Sequence, residues 1–154
     1  MASSKKRAKD LEQLHLEILP QPDDYTCGPT CLHAVYSYWG DDVSLSQVIA
    51  EVPKTPSGGT VEVFLANHAL ARGYRVTLYT YNLRLFDPTW FQPGVDIADR
   101  LRRQAEFKTP QRPLFGTITD GFLEFLDRGG TLRFVDPSAE LLRRYLRRGV
   151  PVLT

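Results

Sequence analysis

The residues best suited to chemistry are Gln21 and Cys27, a glutamine six positions before a cysteine. Cysteine-dependent acyl transfer needs a sulfur held as thiolate and hydrogen-bond donors for the carbonyl oxygen that turns negative. The sequence around Cys27 predicts that this residue opens a helix, whose free N–H groups and dipole favour a thiolate. The Cys27 N–H and the Gln21 side-chain amide are then the two predicted oxyanion donors. The stretch therefore indicates one half of an active site, the nucleophile and its oxyanion hole.

Cys27 depends on a helix that the sequence predicts from Cys27 to Trp39. Thr26 is the predicted N-cap, Pro29 is tolerated in the first turn because its missing N–H does no harm there, and Gly40 ends the helix. Four residues at helical spacing form a stripe that we expect to face the core, with its first member at the exposed tip: Cys27, Cys31, Val35 and Tyr38. Cys31 is therefore predicted to fill the core. A buried small hydrophobe is the usual state of a free cysteine, but the upstream glutamine and the following Gly-Pro favour a nucleophile at Cys27.

Gln21 and the run Cys27-Gly28-Pro29-Thr30 resemble papain-fold cysteine peptidases of the bacteriocin-processing (double-glycine leader) type, in their stand-alone, peptidase-like branch. The Gln-to-Cys motif is specific for that clan. The similarity continues from Leu14 to Thr154 in scattered blocks of a kind that many α/β proteins also carry: Val43–Ile49, Gly59–Val76 and Ser138–Leu153.

The resemblance implies an α+β, papain-like fold, of which this chain holds the N-terminal helical part and the start of the antiparallel sheet. It also implies a cysteine peptidase, a hydrolase that cuts peptide bonds through a thioester on Cys27 with Gln21 as oxyanion donor. Peptide or protein substrates with small residues such as glycine before the cut are implied as well. The family takes its base from a histidine on a strand after Gly-x-Pro-Val and its orienting aspartate from a later strand. Because no histidine follows His68, we expect the chain to be truncated before the catalytic histidine.

None of the three histidines is predicted to be the base. His15 lies on the polar side of an alternating segment, Leu14–Ile18, that predicts a strand. His33 follows Cys27 by six residues on the same helix, which puts it roughly 9 Å further along and on another face. His68 lies on a predicted helix, where a partly buried packing histidine is the expected role. The chain by itself is therefore expected to bind peptide and to turn it over little.

Two other functions stay open at this point. One is acyl transfer to an amine by a relative in the same clan, as phytochelatin synthase-like proteins do with the same Gln-to-Cys arrangement. The other is a non-catalytic module that grips a peptide without cutting it, as degenerate peptidase domains beside transporters do. Product analysis with an added amine separates the first from hydrolysis, and an unreactive Cys27 would favour the second.

Composition limits the remaining classes. A chain of 154 residues with 42% hydrophobic content predicts one packed domain, 11–154, after a flexible basic tail, 1–10. A net charge of +1 argues against a nucleic-acid partner. Two cysteines on one helix fit neither a disulfide framework nor a zinc site, so no metal or cofactor is expected. No apolar run reaches the ~20 residues of a membrane span and the tail is not a signal peptide, so we expect a cytoplasmic protein. Any transporter or peptide-modifying partner stays unassigned.

The middle of the chain predicts alternating helices and strands. Asp136-Pro137 is predicted to be an N-cap and first helical residue, not the aspartate of a catalytic Asp-Pro pair. The loop Asn82–Gly94 carries three aromatic residues that either form a lid or substrate-facing patch or pack against the domain. The predicted elements are a strand at Tyr74–Tyr81, helices at Asp96–Phe107 and Thr119–Arg128, and a strand at Thr131–Val135.

Overall fold

The computed structural model describes residues 13–154. They fall into two compact units, one of residues up to Ala50 together with Pro137–Thr154, and one of Glu51–Asp136. The architecture is mixed, with helices and a small sheet of the α+β kind. The flexible tail predicted for residues 1–10 lies outside the described residues.

The first unit is helical. Helix α1, Cys27–Tyr38, confirms the predicted helix, and Gly40 follows it with a φ of 76°, a left-handed conformation that suits glycine. Helix α2, Leu45–Glu51, belongs to this unit except for its last residue, Glu51, which belongs to the second unit. Helix α6, Ala139–Leu146, completes the unit after a long gap in the sequence. The Tyr38 hydroxyl donates to the Gly149 carbonyl at 2.8 Å and so ties the end of α1 to the turn after α6.

The core-facing side of α1 differs from the predicted one. The predicted stripe is exposed at Cys27 and only half-buried at the other three positions, so Cys31 does not fill the core. Ala34, Val35 and Tyr36 are consecutive and apolar, so the sequence does not show which side of the helix is buried. It also gives no signal that Thr30 and His33 face the core. The buried residues of α1 are Pro29, Thr30, Leu32, His33, Ala34 and Tyr36.

Three further predictions for this unit are wrong. Leu14–Ile18 forms no strand, although its first residues alternate between half-buried and exposed, because no strand within residues 13–154 pairs with it. Asp136 is not the N-cap of α6; the Ser138 hydroxyl takes that role and accepts from the Leu141 N–H at 3.2 Å. Residues 150–154, which the resemblance assigns to a first sheet strand, are irregular.

The second unit contains the sheet, and the sheet is parallel. Strand β1, Thr77–Thr80, pairs with strand β2, Thr131–Phe134, with Leu78 opposite Leu132. The predicted start of an antiparallel sheet is therefore wrong for the described residues. Parallel strands need a long crossover connection between them. The segment that joins β1 to β2 contains helices α4, Ile97–Lys108, and α5, Pro113–Asp127, and is long enough for parallel pairing.

Aromatic packing fixes the core of this unit. Phe86 is 1% exposed and meets Phe122 edge-to-face at 4.9 Å between ring centroids. Phe91 lies 5.8 Å from Phe86 and 5.3 Å from Phe134 on β2. Of the two roles left open for the aromatic loop, packing against the domain is therefore the one adopted by Phe86 and Phe91. The loop also forms a short 3-10 helix, Pro88–Phe91, that the sequence did not predict.

Helix packing in this unit brings α3, Glu62–Ala71, against α5. Gly121 on α5 permits the approach, because a Cβ there would lie 2.9 Å from Val63 Cγ1 and 3.1 Å from Phe64 Cε1. The Asn67 amide donates to the Gly121 carbonyl at 2.8 Å across the same contact. In residues 13–154 no helix combines the length and the apolar character needed to cross a membrane.

Candidate active site

Cys27 lies at the first residue of α1 and its side chain is exposed, as predicted for a nucleophile. The first main-chain bond at this end joins the Thr30 N–H to the Thr26 carbonyl at 3.0 Å. Pro29 has no N–H, so Cys27 and Gly28 carry the donors of the first turn. Within residues 13–154 neither of these N–H groups donates to a main-chain or side-chain acceptor. They form a small positive end next to the Cys27 sulfur.

Thr26 occupies the predicted N-cap position without acting as a side-chain cap. Its hydroxyl lies 3.4 Å from the Asp23 carbonyl and makes no cap bond to the helix. Thr26 is fully buried, and this hydrogen bond satisfies its hydroxyl on the loop side. The predicted N-cap residue is therefore confirmed, but its side chain makes no cap bond, so the donors of the first turn stay uncapped.

Asp23 organises the turn that carries Gln21. Its carbonyl accepts from Gln21 Nε2 at 2.8 Å, and its carboxylate accepts from the Tyr25 N–H at 2.8 Å. The exposed Gln21 amide carries two hydrogens, and this contact uses one of them. The turn thus joins Gln21 to the loop that leads directly into Cys27. From the sequence, Asp23 stayed open between a charge at the rim of a cleft and an ordinary loop residue, with the loop favoured. An aspartate whose carboxylate accepts from the N–H two residues further on is a known turn signal.

The three histidines lie in different surroundings. His15 is exposed, as predicted. His33 is buried on α1, and its Nδ1 atom has no hydrogen-bond partner in the part of the chain that the structure describes. Helical rise separates it from Cys27 by roughly 9 Å along the axis, too far for a direct proton transfer. His68 belongs to the second unit.

His68 is the residue whose surroundings sequence reasoning missed. It is buried on α3, as a packing histidine should be, but its Nε2 atom lies 2.8 Å from Glu51 Oε2. In many catalytic triads a carboxylate accepts a hydrogen bond from the histidine and so fixes the orientation of its ring. Glu51 precedes His68 by 17 positions, and no local pattern signals their pairing. Asn67, which precedes His68, is also buried, and its Oδ1 atom has no hydrogen-bond partner in residues 13–154.

The geometry can therefore support two kinds of chemistry in two places. The turn from Gln21 to Cys27 presents an exposed thiol with hydrogen-bond donors next to it. The surroundings of His68 present a buried imidazole–carboxylate pair. No protein-family model, no curated protein and no solved structure matches this chain.

Proposed function

We propose that this protein is a papain-like cysteine hydrolase that cleaves peptide bonds, with Cys27 as nucleophile and Gln21 as oxyanion donor. The observation that carries the proposal is the position of Cys27, exposed at the first residue of α1 and joined to Gln21 by a turn built on Asp23. Exposure gives a substrate carbonyl access to the sulfur. The uncapped N–H groups of Cys27 and Gly28 supply main-chain donors at the same end of the helix.

The proposed reaction has two stages. A histidine base takes the thiol proton, and the Cys27 sulfur attacks the scissile carbonyl while its oxygen is held by the Cys27 N–H and the Gln21 amide. The amine leaves with the proton from the histidine, which leaves a thioester on Cys27. Water, activated by the same histidine, then hydrolyses the thioester and restores the thiol.

The resemblance places that histidine on a strand after a Gly-Val-Pro-Val segment. We assign none of the three histidines to the role: His15 is exposed, His33 is too far from Cys27 along the helix, and His68 is a buried packing histidine on α3. The proposal includes peptide substrates with small residues before the cut, and a reducing compartment such as the cytoplasm, because the nucleophile must stay a free thiol.

One observation favours a second candidate, a peptide-binding module without turnover. Gln21 Nε2 donates to the Asp23 carbonyl at 2.8 Å, so the amide is engaged within its own turn. A binding module needs an exposed surface at this turn and no activated sulfur. The two candidates therefore differ in the reactivity of Cys27 and in the effect of removing Gln21.

The test is the hydrolysis of a peptide with a Gly-Gly sequence before the cut by the full-length gene product, with intact-mass detection of a thioester on Cys27. We expect Cys27→Ser to abolish turnover and Gln21→Ala to lower kcat by roughly 100- to 1,000-fold, the usual effect of one lost oxyanion donor. Cys31→Ser is the matched control and should retain activity. Products formed with an added amine would assign acyl transfer. Turnover that survives Cys27→Ser would overturn the proposal.

A further inference from the structure

The second unit contains an open groove of about 320 Å³ beside strand β2. Four consecutive residues, 132–135, line one wall of this groove. Because successive side chains of a strand point to opposite faces of a sheet, a groove that touches all four residues lies along the edge of the strand. No residue of β1 lines the groove, so this edge of β2 is the one that faces away from β1.

This edge of β2 carries backbone groups that no other strand uses. The Thr131 N–H donates to the Val76 carbonyl at 3.1 Å, so the backbone groups of Thr131 point towards β1. Alternate residues of a strand direct their N–H and C=O groups to alternate edges, so those of Leu132 and Phe134 point away from β1. Within residues 13–154 the sheet has two strands, and these groups of Leu132 and Phe134 have no hydrogen-bond partner.

The facing wall of the groove is largely apolar. It is formed by residues that precede and begin α4: Trp90, Phe91, Gln92, Val95 and Ile97. The ring centroids of Phe91 and Phe134 lie 5.3 Å apart, so aromatic surface joins this wall to β2. Trp90, Phe91 and Val95 are only half-buried. A ligand that pairs with the edge of β2 can therefore place apolar side chains on rings that the fold leaves partly open.

Among the described residues that line the groove, only Arg133 is charged. Arg133 is exposed, and no acidic side chain pairs with it in the described part of the chain. Its side chain lies on the opposite face of the sheet from those of Leu132 and Phe134. Cross-strand neighbours of opposite charge attract each other, so an acidic side chain on that face of an added strand is stabilised by Arg133. The groove therefore favours one acidic residue between two apolar residues.

We propose that the open edge of β2 binds an extended peptide by strand addition, with the pattern apolar–acidic–apolar. The peptide backbone pairs with the N–H and C=O groups of Leu132 and Phe134. The acidic side chain faces Arg133, and the apolar side chains lie against Trp90 and Phe91. A basic residue at the central position is repelled by Arg133. The site is independent of the proposed hydrolase activity, because all its residues belong to the second unit.

The experiment titrates a capped peptide, acetyl-Thr-Val-Glu-Val-Thr-amide, into the ¹⁵N-labelled full protein. One matched probe carries lysine in place of the glutamate, and a second has its three central amide nitrogens methylated. We expect the first peptide to shift the Leu132 and Phe134 amide signals in a saturable way and to slow their hydrogen exchange, because both N–H groups gain an acceptor. The lysine probe should bind roughly two- to tenfold more weakly. The methylated probe should also bind several-fold more weakly, because it cannot donate to the strand carbonyls.

Three results of this titration would overturn the proposal. One is equal affinity of the acidic and lysine probes, and another is equal affinity of the methylated and unmethylated probes. The third is slow exchange of the Leu132 and Phe134 amides that depends on protein concentration without any peptide, which would assign the edge to a second copy of the chain.

A charge variant tests the role of Arg133 directly. Arg133→Gln should remove the preference for glutamate over lysine, while saturating peptide still shifts the Leu132 and Phe134 amides. Arg75→Gln is the matched control, since Arg75 is an exposed residue of the same unit that does not line the groove. The preference should be unchanged in that variant. Equal effects of the two variants would show a diffuse charge effect and would contradict the assigned site.

Discussion

The turn at Cys27 and the surroundings of His68 are held together in opposite ways. In the turn, the hydrogen bonds made by Asp23 join residues two or three positions apart near the surface. Around His68 the contacts are buried or part-buried and span 17 positions to Glu51 and, from Asn67, 54 positions to Gly121. The first arrangement needs only its own sequence, whereas the second needs a packed unit around it.

This difference has an energetic consequence. Exposed local hydrogen bonds exchange with water, so each contributes little to the free energy of unfolding. Long-range buried contacts form only when the whole unit folds, and they are lost together when the core is damaged. We therefore expect changes near His68 to affect stability, and changes near Cys27 to affect reactivity with little loss of stability.

The largest expected effect comes from a substitution in the core of the second unit, which contains His68. Phe122 is fully buried against Phe86, and Phe122→Ala should lower the free energy of unfolding by about 3–5 kcal/mol, because it leaves a cavity. Guanidinium unfolding followed by Trp90 fluorescence in a Trp39→Phe background measures this, since Trp90 belongs to the second unit. Phe107→Ala is the control: Phe107 is 78% exposed, and its loss should change stability by less than about 0.5 kcal/mol. Equal losses would contradict a core centred on Phe122.

A smaller effect is expected where α3 and α5 approach each other. Gly121→Ala adds a Cβ within 2.9 Å of Val63 Cγ1, a core atom with little freedom to move. Alanine gains helix propensity by about 1 kcal/mol, but overpacking costs about 1–3 kcal/mol, so we expect a net loss. The same fluorescence assay measures it, with the exposed Thr117→Ala as the control in the same helix. A stability increase would show that α3 and α5 are packed less closely than their contact at Gly121 indicates.

The turn at Cys27 should respond weakly. Asp23→Ala removes the carboxylate that holds the Tyr25 N–H, and we expect a loss of about 0.5–1 kcal/mol, the net value of one hydrogen bond. Hydrogen exchange of the Tyr25 amide should become faster in this variant. Asp24→Ala, one residue further along the same exposed turn, is the control and should change neither quantity. A loss above about 2 kcal/mol would contradict the local character of the turn.

The smallest effect concerns a local contact in the second unit. Hydrogen bonds from the Thr89 hydroxyl and then from its backbone N–H hold the pKa of Asp87 below its usual value of 3.8. A carboxyl whose pKa is lower in the folded state contributes stability above its unfolded pKa, and the contribution is lost as the pH falls through the folded pKa. Thr89→Ala removes the hydroxyl, and the carboxyl titration followed by NMR should move towards 3.8. An unchanged midpoint would show that the hydroxyl does not set this pKa.

Local signals explain what the sequence could predict. Gly40 marks the end of α1, and Asp96 accepts from the Asp99 N–H at 3.0 Å at the start of α4, where the sequence places it. Cys27 at the first residue of α1 follows from the same kind of signal. Each of these features is set by residues within one helical turn of each other, which is the range that a sequence pattern covers.

Long-range pairing explains most of what the sequence missed. The Glu51–His68 pair and the parallel register of β1 with β2 depend on segments that meet only in the folded unit. The buried face of α1 was missed for a related reason, since Thr30 and His33 are turned inward by packing and not by hydrophobicity. The cap of α6 was missed by two residues, because Asp136 and Ser138 are both good caps and only geometry chooses between them.

The most direct test of the account is the rate of Cys27 alkylation by iodoacetamide as a function of pH, read by intact mass. Cys31, half-buried on the same helix, is the internal comparison, and Cys27→Ser is the control. If Cys27 is an activated nucleophile, its labelling should stay fast at pH values well below ~8.5, the pKa of a free thiol. Labelling that follows the pH dependence of a free thiol would contradict the assignment of Cys27 as nucleophile and would favour the binding module.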